Sequence, residues 1–428
     1  MHGMRRSAPG LVVLVVALVA GPRPAAASPL DLFGYGGSSP ALAGTGVATA
    51  TGYDAVYLNP AGLADTKKRV TLGLLYGDFN LHLRGADTGT DAAKGLVFGG
   101  ALPVPLGGPA RDRVGLALGF YVPTVAITRA RHPLPGVPTF ALLETRSHVV
   151  AIQLGLGVRF GDRADAGLRV GAGVIALAEL RGGIEVTTDG AGRFTTFSEQ
   201  QLLAKFAPVL GARYLMPAQR LDLGLTFRAA SRSDYDITVT NDLGNTLPLT
   251  LPTIRIAGNA QYDPLTIAAE AAWRPLPSLE VRAQLAYQRW SAFPLPTLNA
   301  IATQPPQEAP GFHDIVVPRL AAEWRIEAGA TGLALRAGYA AFMSPAPAAS
   351  GRASLLDNHR DVISLGLGLS WPGRNPLHLD VWAQGHLLTP RSHTKDLDRF
   401  DPGDTVPFYR LETDGHILVG GLTVGVDL

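Results

Sequence analysis

The chain of 428 residues contains no cysteine, which excludes disulfides, Cys-ligated metal sites, a thiol nucleophile and a lipid-modified N-terminal cysteine. Charged residues are also scarce: they make up 17% of the chain, whereas ordinary soluble domains contain about 25%. The formal net charge is only +2 and no run of Lys or Arg is present, so we expect no nucleic-acid partner. These deficits argue against an ordinary soluble enzyme.

Long hydrophobic runs are missing as well. The longest run, Leu11–Ala20, is ten residues long, whereas a helix needs about 20 apolar residues to cross a bilayer. The run follows Arg5 and Arg6 and precedes the small residues Ala25–Ala27. We therefore predict that residues 1–27 are a secretory signal peptide, with a short N-terminal anchor as the alternative, and that the protein is exported into a Gram-negative envelope.

Strict alternation of apolar with small or polar residues dominates the rest of the chain. In 148–160 the even positions are almost all apolar, while the odd positions are mostly small or polar. This period is typical of strands whose two faces meet different surroundings. Fourteen such segments can be counted: 70–84, 94–106, 112–128, 146–160, 166–187, 199–216, 220–240, 250–274, 279–293, 314–328, 332–345, 359–371, 377–390 and 414–428.

The connections between these segments alternate between short and long, as in outer-membrane barrels with short periplasmic turns and longer outer loops. Aromatic residues near the strand ends fit the girdles of such barrels. They are Phe160, Tyr214, Trp273, Trp324 and Trp371 at the turn side, and Tyr287, Trp290 and Phe293 at the outer side. We predict an all-β fold, a 14-stranded antiparallel transmembrane β-barrel over 70–428. A soluble β-sandwich is the alternative.

Charged residues recur on the face that we predict to point inward. They are Arg159, Arg169, Arg228, Arg282, Arg319, Glu323, Arg325, Arg336 and Asp380. An arginine that faced lipid would cost about 2–4 kcal/mol at mid-bilayer, so these side chains are expected to face the lumen. A barrel of fourteen strands is wide enough to leak unless something occupies it. The Gly- and Ala-rich residues 28–69, which precede the first strand, are predicted to be an N-terminal hatch that plugs the lumen.

Two motifs resemble the FadL/TodX family of outer-membrane transporters for long-chain fatty acids and other hydrophobic compounds. The first is Tyr57–Leu63 (YLNPAGL), just before the first strand, and the second is Leu355–Asp361 (LLDNHRD), which opens into a late strand. The resemblance implies a monomeric barrel with a hatch, capture of a hydrophobic ligand at the outer loops, a lumenal apolar site and lateral release through a kinked third strand. One departure is the final Leu428, where such barrels commonly end in an aromatic residue.

The candidate site residues follow from these motifs. We predict a hatch motif at Asn59, Pro60, Ala61 and Gly62, and candidate ligand-binding residues at Phe33, Tyr35, Tyr57, Leu142 and Trp382. The hatch aromatics are open to a second interpretation, in which they only pack the hatch against the wall. Leu142 belongs to an apolar outer loop with Leu134, Phe140 and Leu143.

Proline at position 123 is the candidate for the lateral opening, because it interrupts the alternation of the third predicted strand. Proline has no N–H to donate to the ladder, so the wall is expected to be locally unpaired there. An ordinary bulge near the outer rim is the alternative interpretation.

No motif of a hydrolase, zinc protease, P-loop or dinucleotide-binding protein is present, so we expect no enzyme activity and no cofactor. A wall-mounted lipase is another alternative. The sequence thus predicts passive outer-membrane transport of long-chain fatty acids or other hydrophobic compounds, with outer-membrane lipid as the surroundings. The main alternative is an outer-membrane porin for polar solutes, suggested by the many inward arginines.

Overall fold

The structure is a computed structural model, and it describes residues 29–124, 137–140, 142–143, 149–188, 193–242, 253–295, 297–298, 309–349, 354–395 and 408–428. The predicted signal peptide and Leu134 lie outside these residues.

Fourteen strands form one closed antiparallel barrel, as predicted. They are β1 Arg69–Leu83, β2 Ala93–Pro103, β3 Val114–Pro123, β4 Ala151–Arg159, β5 Gly167–Thr188, β6 Phe194–Met216, β7 Leu221–Arg228 with Ser231–Asp242, β8 Ile254–Asp263 with Leu265–Leu276, β9 Leu279–Arg289, β10 Ile315–Ala328, β11 Thr331–Phe342, β12 Arg360–Trp371, β13 Leu377–Thr394 and β14 Arg410–Asp427. Each strand pairs with its sequence neighbour, and β1 pairs with β14 from Arg69↔Asp427 to Leu83↔Thr413. This last ladder closes the barrel. Two-residue strands at Ala86–Asp87 and Thr297–Leu298 lie in outer connections.

The alternation places apolar side chains on the outer surface of the barrel. Along β1, for example, Val70, Leu72 and Leu74 are each more than half exposed. Because a continuous apolar surface is stable only in an apolar solvent, the outer wall is a membrane-facing surface. Four of the predicted turn-side aromatics also point outward and are about half exposed: Phe160, Tyr214, Trp273 and Trp324.

The prediction that Trp290 and Phe293 belong to the outer girdle was wrong. Trp290 is only 2% exposed, and the partly buried Phe293 lies beside it, with ring centroids 6.3 Å apart. The reason is local: β9 ends at Arg289 and a 3-10 turn over Trp290–Ala292 redirects the chain. The alternating pattern therefore does not extend to the end of the predicted strand 279–293. The Trp290 and Phe293 rings point into the barrel mouth instead.

The outer ends of the fifth to eighth strands depart from simple neighbour pairing. β7 breaks after Arg228, and its second part pairs in parallel with β5 from Leu180↔Tyr235 to Thr187↔Asp242. β8 breaks at Pro264, between its two parts, where the sequence predicted one continuous strand. Proline lacks the N–H that a central strand would use, which explains the position of this break.

The N-terminal segment, residues 29–65, contains only short helices. These are α1 Pro29–Phe33, α2 Ser38–Ala41, α3 Ala55–Leu58 and a 3-10 helix at Pro60–Asp65. None of the helices in the described part of the chain is long and apolar enough to cross a membrane. Most side chains of the segment are buried against inward-facing residues of the strands.

Wall glycines allow this close contact. A Cβ atom added at Gly115 of β3 would lie 1.9 Å from the Leu63 carbonyl oxygen, and one at Gly211 of β6 would lie 1.9 Å from Asn59 Oδ1. Both distances are far below van der Waals contact, so any larger residue would push the N-terminal segment away from the wall.

Candidate functional site

Asn59 joins the N-terminal segment to two strands. Its amide nitrogen donates to the carbonyl oxygens of Val47 at 2.7 Å, of Ala212 on β6 at 2.9 Å and of Leu225 on β7 at 3.4 Å. Its Oδ1 atom accepts the Ala61 N–H at 3.1 Å and so caps the 3-10 helix that follows. The side chain is 1% exposed. Within the predicted hatch motif, Asn59 is thus the residue whose side chain makes polar contacts both with the N-terminal segment and with the barrel wall.

We expect Asn59→Ala to loosen the N-terminal segment. The substitution leaves a buried N–H and at least two buried carbonyl groups without their partner, which costs about 2 kcal/mol or more. Limited proteolysis of the purified barrel in detergent should then cut within 29–65 faster than in the wild type. Asn375→Ala, in an exposed turn between β12 and β13, is the matched control. Equal cleavage rates for the Asn59 variant and this control would contradict the anchoring role.

Glu270 of β8 provides a second anchor, which the sequence analysis missed. Its carboxylate accepts the backbone N–H groups of Gly46, Val47 and Ala48 at 2.7, 2.9 and 3.3 Å. The Glu270 side chain is 3% exposed, so these bonds form away from bulk water. Hydrogen bonds to a charged group are stronger than neutral ones. Glu270 therefore holds the middle of the N-terminal segment against the wall.

Ion pairs attach both ends of the N-terminal segment to the barrel wall. Asp65 pairs with Arg169 of β5, with Nε 3.0 Å from Oδ2. Asp31 of α1 accepts from Gln288 Nε2 at 3.1 Å and lies 3.4 Å from Arg228 Nη2. Arg228 also stacks its guanidinium 4.2 Å above the Tyr57 ring. The predicted inward orientation of Arg169 and Arg228 is therefore confirmed, and both contact the N-terminal segment.

An aromatic cluster fills the outer part of the lumen. This outer aromatic cluster consists of Tyr262, Trp290, Phe293, Phe312 and Phe342, with Leu142 and Ile315 packed among them. Ring centroids are 4.5 Å apart for Phe293 and Phe312 and 5.3 Å apart for Tyr262 and Trp290. The space left between the cluster and Asp31 is only about 10 Å³, so the cluster is closed in this structure.

A hydrogen-bonded chain connects this cluster to α1. Trp290 Nε1 donates to Gln288 Oε1 at 3.0 Å, and Gln288 Nε2 donates in turn to Asp31. Arg319 and Arg360 flank the Phe342 ring, with their guanidinium carbons 5.3 and 4.9 Å from its centroid. A molecule that entered between the rings would therefore disturb groups bonded directly to the N-terminal segment.

The inner part of the lumen is polar. A cavity of about 600 Å³ lies between the N-terminal segment and the inner ends of the strands. Its arginines are paired with carboxylates: Arg336 with Glu323 at 2.7 Å, and Arg282 with Glu280 at 2.7 Å. A cavity lined by paired charges is favourable for water and ions and unfavourable for an apolar molecule.

Asp54 of the N-terminal segment borders this polar cavity. Burial raises the pKa of its carboxyl to about 6, although the charge of Arg69 partly opposes that effect. Asp380 also faces it and adds to the increase. Because the pKa is higher in the folded than in the unfolded chain, ionisation of Asp54 costs stability as the pH rises from about 4 through about 6.

We therefore expect Asp54→Asn to stabilise the barrel at neutral pH. Because Asp54 borders a cavity of about 600 Å³, which is large enough for water, the gain is expected to be only about 1 kcal/mol above pH 7 and to vanish near pH 4. Thermal unfolding followed by circular dichroism at both pH values measures it. A stabilisation of equal size at both values would show that the cause is not the charge of Asp54.

The predicted ligand-binding residues lie in three different clusters. Tyr35 and Tyr57 contact each other, with ring centroids 6.1 Å apart, and pack against β2 to β6. Phe33 and Trp382 lie in a second cluster against β1 and β13, and Leu142 lies in the outer aromatic cluster. Trp382 points inward, as predicted. The structure thus does not bring these five residues together into one site.

The described part of the apolar outer loop is not an exposed surface that could take up ligand directly from outside. Phe140, Leu142 and Leu143 are at most 3% exposed. The backbone N–H of Thr139 bonds to the Ser354 carbonyl at 3.0 Å, and Leu356 N–H bonds to the Thr139 carbonyl at 2.8 Å. These bonds hold the loop against the connection between β11 and β12. The three side chains contribute to the closed mouth rather than to an exposed apolar surface.

Comparison with known proteins identifies the fold. No protein-family model matches the chain, and no curated protein is similar to it in sequence. Among solved structures, a Pseudomonas aeruginosa FadL homologue matches 90% of this chain and 97% of its own, with a TM-score of 0.58 and 14% identity.

The Pseudomonas putida toluene transporter TodX matches 93% of this chain and 99% of its own, with a TM-score of 0.52 and 14% identity. The Ralstonia pickettii toluene transporter TbuX matches 92% and 99%, with a TM-score of 0.50 and 14% identity. At this level of identity the similarity establishes a shared fold, and the resemblance seen in the two sequence motifs is confirmed at that level.

Proposed function

We propose, from the fold shared with the FadL homologue and the toluene transporters, that this chain is a passive outer-membrane channel for hydrophobic compounds. Long-chain fatty acids and other hydrophobic small molecules are the candidate cargo. The observation that carries the proposal is the division of the lumen: an apolar aromatic cluster lies on the outer side of the N-terminal segment, and a polar cavity lies on its inner side. The proposed mechanism includes no catalytic step or cofactor.

The N-terminal segment is the proposed hatch, corresponding to the predicted region 28–69. Its support is the set of anchors from Asn59, Glu270 and Asp65, which attach it to the wall at several heights. Cargo in the outer aromatic cluster would disturb the Trp290–Gln288–Asp31 chain and so loosen α1. Leu142 and the hatch aromatics Phe33, Tyr35 and Tyr57, with Trp382, remain the proposed ligand contacts, used in succession rather than together.

We place the lateral exit at the outer end of β3. The ladder between β3 and β4 ends at Tyr121↔Ala151, two residues before Pro123, whereas the ladder with β2 continues to Gly95↔Pro123. The Thr124 N–H bonds to Lys94 on the β2 side. Successive N–H groups point to opposite edges of a strand. Since the Thr124 N–H faces β2, the N–H group that a residue other than proline would have at position 123 would face β4. Apolar side chains of the lumen, including Tyr121, lie behind this seam.

Lateral release is energetically suited to an oily cargo. Each methylene moved from an apolar environment into water costs about 0.8 kcal/mol, so release of a sixteen-carbon chain into water would cost roughly 10 kcal/mol. Exit into the membrane avoids nearly all of that cost. The polar inner cavity makes the alternative route through the bore unfavourable.

Uptake and conductance measured on the same protein test the proposed function. We expect uptake of labelled toluene or palmitate by cells that express the barrel, together with low single-channel conductance in planar bilayers. Large, stable currents without such uptake would favour the porin for polar solutes. The inward arginines that suggested a porin are largely ion-paired among the described residues, which removes its main support.

Pro123→Val tests the exit separately. Valine restores an N–H toward β4, so we expect uptake to slow several-fold while the barrel keeps its fold. Pro208→Val is the matched control, because Pro208 also lies just beyond the end of a wall ladder, that of β6 with β7 at Val209↔Arg228, but at a different seam. If both variants transport at the wild-type rate, Pro123 has no part in release.

A further inference from the structure

Gln153 of β4 is a buried amide that takes no part in the contacts described so far. Its side chain is 0% exposed, and neither Oε1 nor Nε2 has a hydrogen-bond partner among the described residues. Two other buried glutamines of the wall use their amides to hold the N-terminal segment. Gln288 donates to Asp31 at 3.1 Å, and Gln384 donates to the carbonyl oxygen of Phe33 at 2.9 Å. An unpaired buried polar group costs free energy, so Gln153 destabilises the barrel unless a further molecule satisfies its amide.

Gln153 lies close to the seam between β3 and β4. The last pair of their ladder is Tyr121↔Ala151, and the pair Gly119↔Gln153 lies two residues nearer the inner side. At the rise of a β-strand, this spacing places Gln153 about 7 Å from the end of the ladder. A molecule that moves from the lumen to the seam therefore passes close to this amide.

The surroundings of this amide are largely apolar. Ile175 is the residue opposite Gln153 on β5, and the Tyr35 side chain occupies the space that a Cβ atom of Gly119 would take. Val56 lies against the next inward position of β4. The three side chains belong to one buried cluster. Gln153 thus places a hydrogen-bond donor and an acceptor in surroundings that otherwise suit an aromatic ring or an acyl chain.

We propose that Gln153 binds the hydroxyl group of a neutral cargo molecule on its way to the seam. A hydroxyl group is both a donor and an acceptor, as the amide is, so it can pair with Oε1 or with Nε2. A bare hydrocarbon leaves the amide unpaired, and an anionic head group would be buried among apolar side chains at a high cost. Phenols and long-chain alcohols are therefore favoured over the corresponding hydrocarbons. The assignment rests on the proposed transport function and names the class of cargo that Gln153 selects.

Uptake of two compounds that differ by one hydroxyl group tests this assignment. Labelled toluene and labelled p-cresol are supplied at low concentration to cells that express the full chain, and uptake by cells without the barrel is subtracted. Gln153→Met removes the amide but keeps an unbranched side chain of similar length. We expect the ratio of p-cresol uptake to toluene uptake to fall about tenfold, because the lost hydrogen bond affects only p-cresol. Heat-modifiable mobility on a gel checks that the variant folds.

Gln261→Met is the matched control. Gln261 is 1% exposed and its amide also has no partner in the described part of the chain, but it lies opposite Ser233 in the first part of β8, away from the seam. This variant should keep the wild-type ratio. An unchanged ratio in Gln153→Met, or equal changes in the two variants, would overturn the assignment. If the wild type takes up neither compound, the transport function itself is wrong and the assignment falls with it.

Discussion

Deleting residues 28–62 should turn the barrel into an ion-conducting pore. The N-terminal segment contacts the wall closely enough that strand glycines such as Gly115 and Gly211 leave no room for a Cβ atom. Removing it opens the lumen above the inner polar cavity and also takes away α1, against which the side chains of the closed mouth pack. Barrels of eight strands are filled by their own side chains, whereas those of sixteen conduct. Fourteen strands fall close to the conducting class.

The measurement is single-channel conductance in planar bilayers, and we expect an increase of about tenfold or more. The strands keep their own ladders, including β1 with β14, so the variant is expected to fold. Heat-modifiable mobility on a gel checks this. Shortening the exposed outer turn Gly85–Asp91 is the control, since that turn does not enter the lumen. A folded deletion variant with wild-type conductance would show that the segment does not close the bore.

Glu270→Ala should produce a partial form of the same effect. The substitution removes the acceptor for three backbone N–H groups at Gly46, Val47 and Ala48 and leaves them buried without a partner. Each buried unsatisfied donor costs about 1–3 kcal/mol, so the middle of the N-terminal segment is expected to leave the wall for part of the time. Brief openings in conductance records, between the closed wild type and the open deletion variant, are the expected result.

A second buried glutamate provides the control for this experiment. Glu280 of β9 is equally buried, but its ion pairs are with Arg274 and Arg282, which are strand residues. Glu280→Ala should lower the thermal midpoint without frequent openings. If the two variants open equally often, the effect of Glu270→Ala comes from general loosening of the wall and not from loss of an anchor.

The strand count, the lipid-facing surface and the inner turns could be predicted from the sequence. These features depend on a period of two, which each strand expresses by itself: Val70, Leu72 and Leu74 point outward because their neighbours do not. The inward orientation of Arg169 and Trp382 followed from the same period. Trp290 was placed wrongly because the period only holds while the strand lasts, and β9 ends one residue earlier.

The partners inside the lumen could not be predicted in this way. Glu270 and Gly46 are 224 positions apart in sequence, and Gln288 and Asp31 are 257 apart. No local pattern distinguishes Glu270 from the other carboxylates of the inward face. A possible signal was its position opposite Gly224 in the ladder between β7 and β8, where a small residue leaves space for the N-terminal segment.

By itself, then, the sequence determined a closed cylinder with an apolar exterior, because alternation acts within each strand and needs no knowledge of the others. Only the tertiary structure decided which inward groups hold residues 29–65 and how the lumen divides into apolar and polar parts. Those contacts depend on the radius of the closed barrel. They also depend on the path that the N-terminal segment, which has no repeating pattern, takes inside the barrel. Neither is encoded in any single strand.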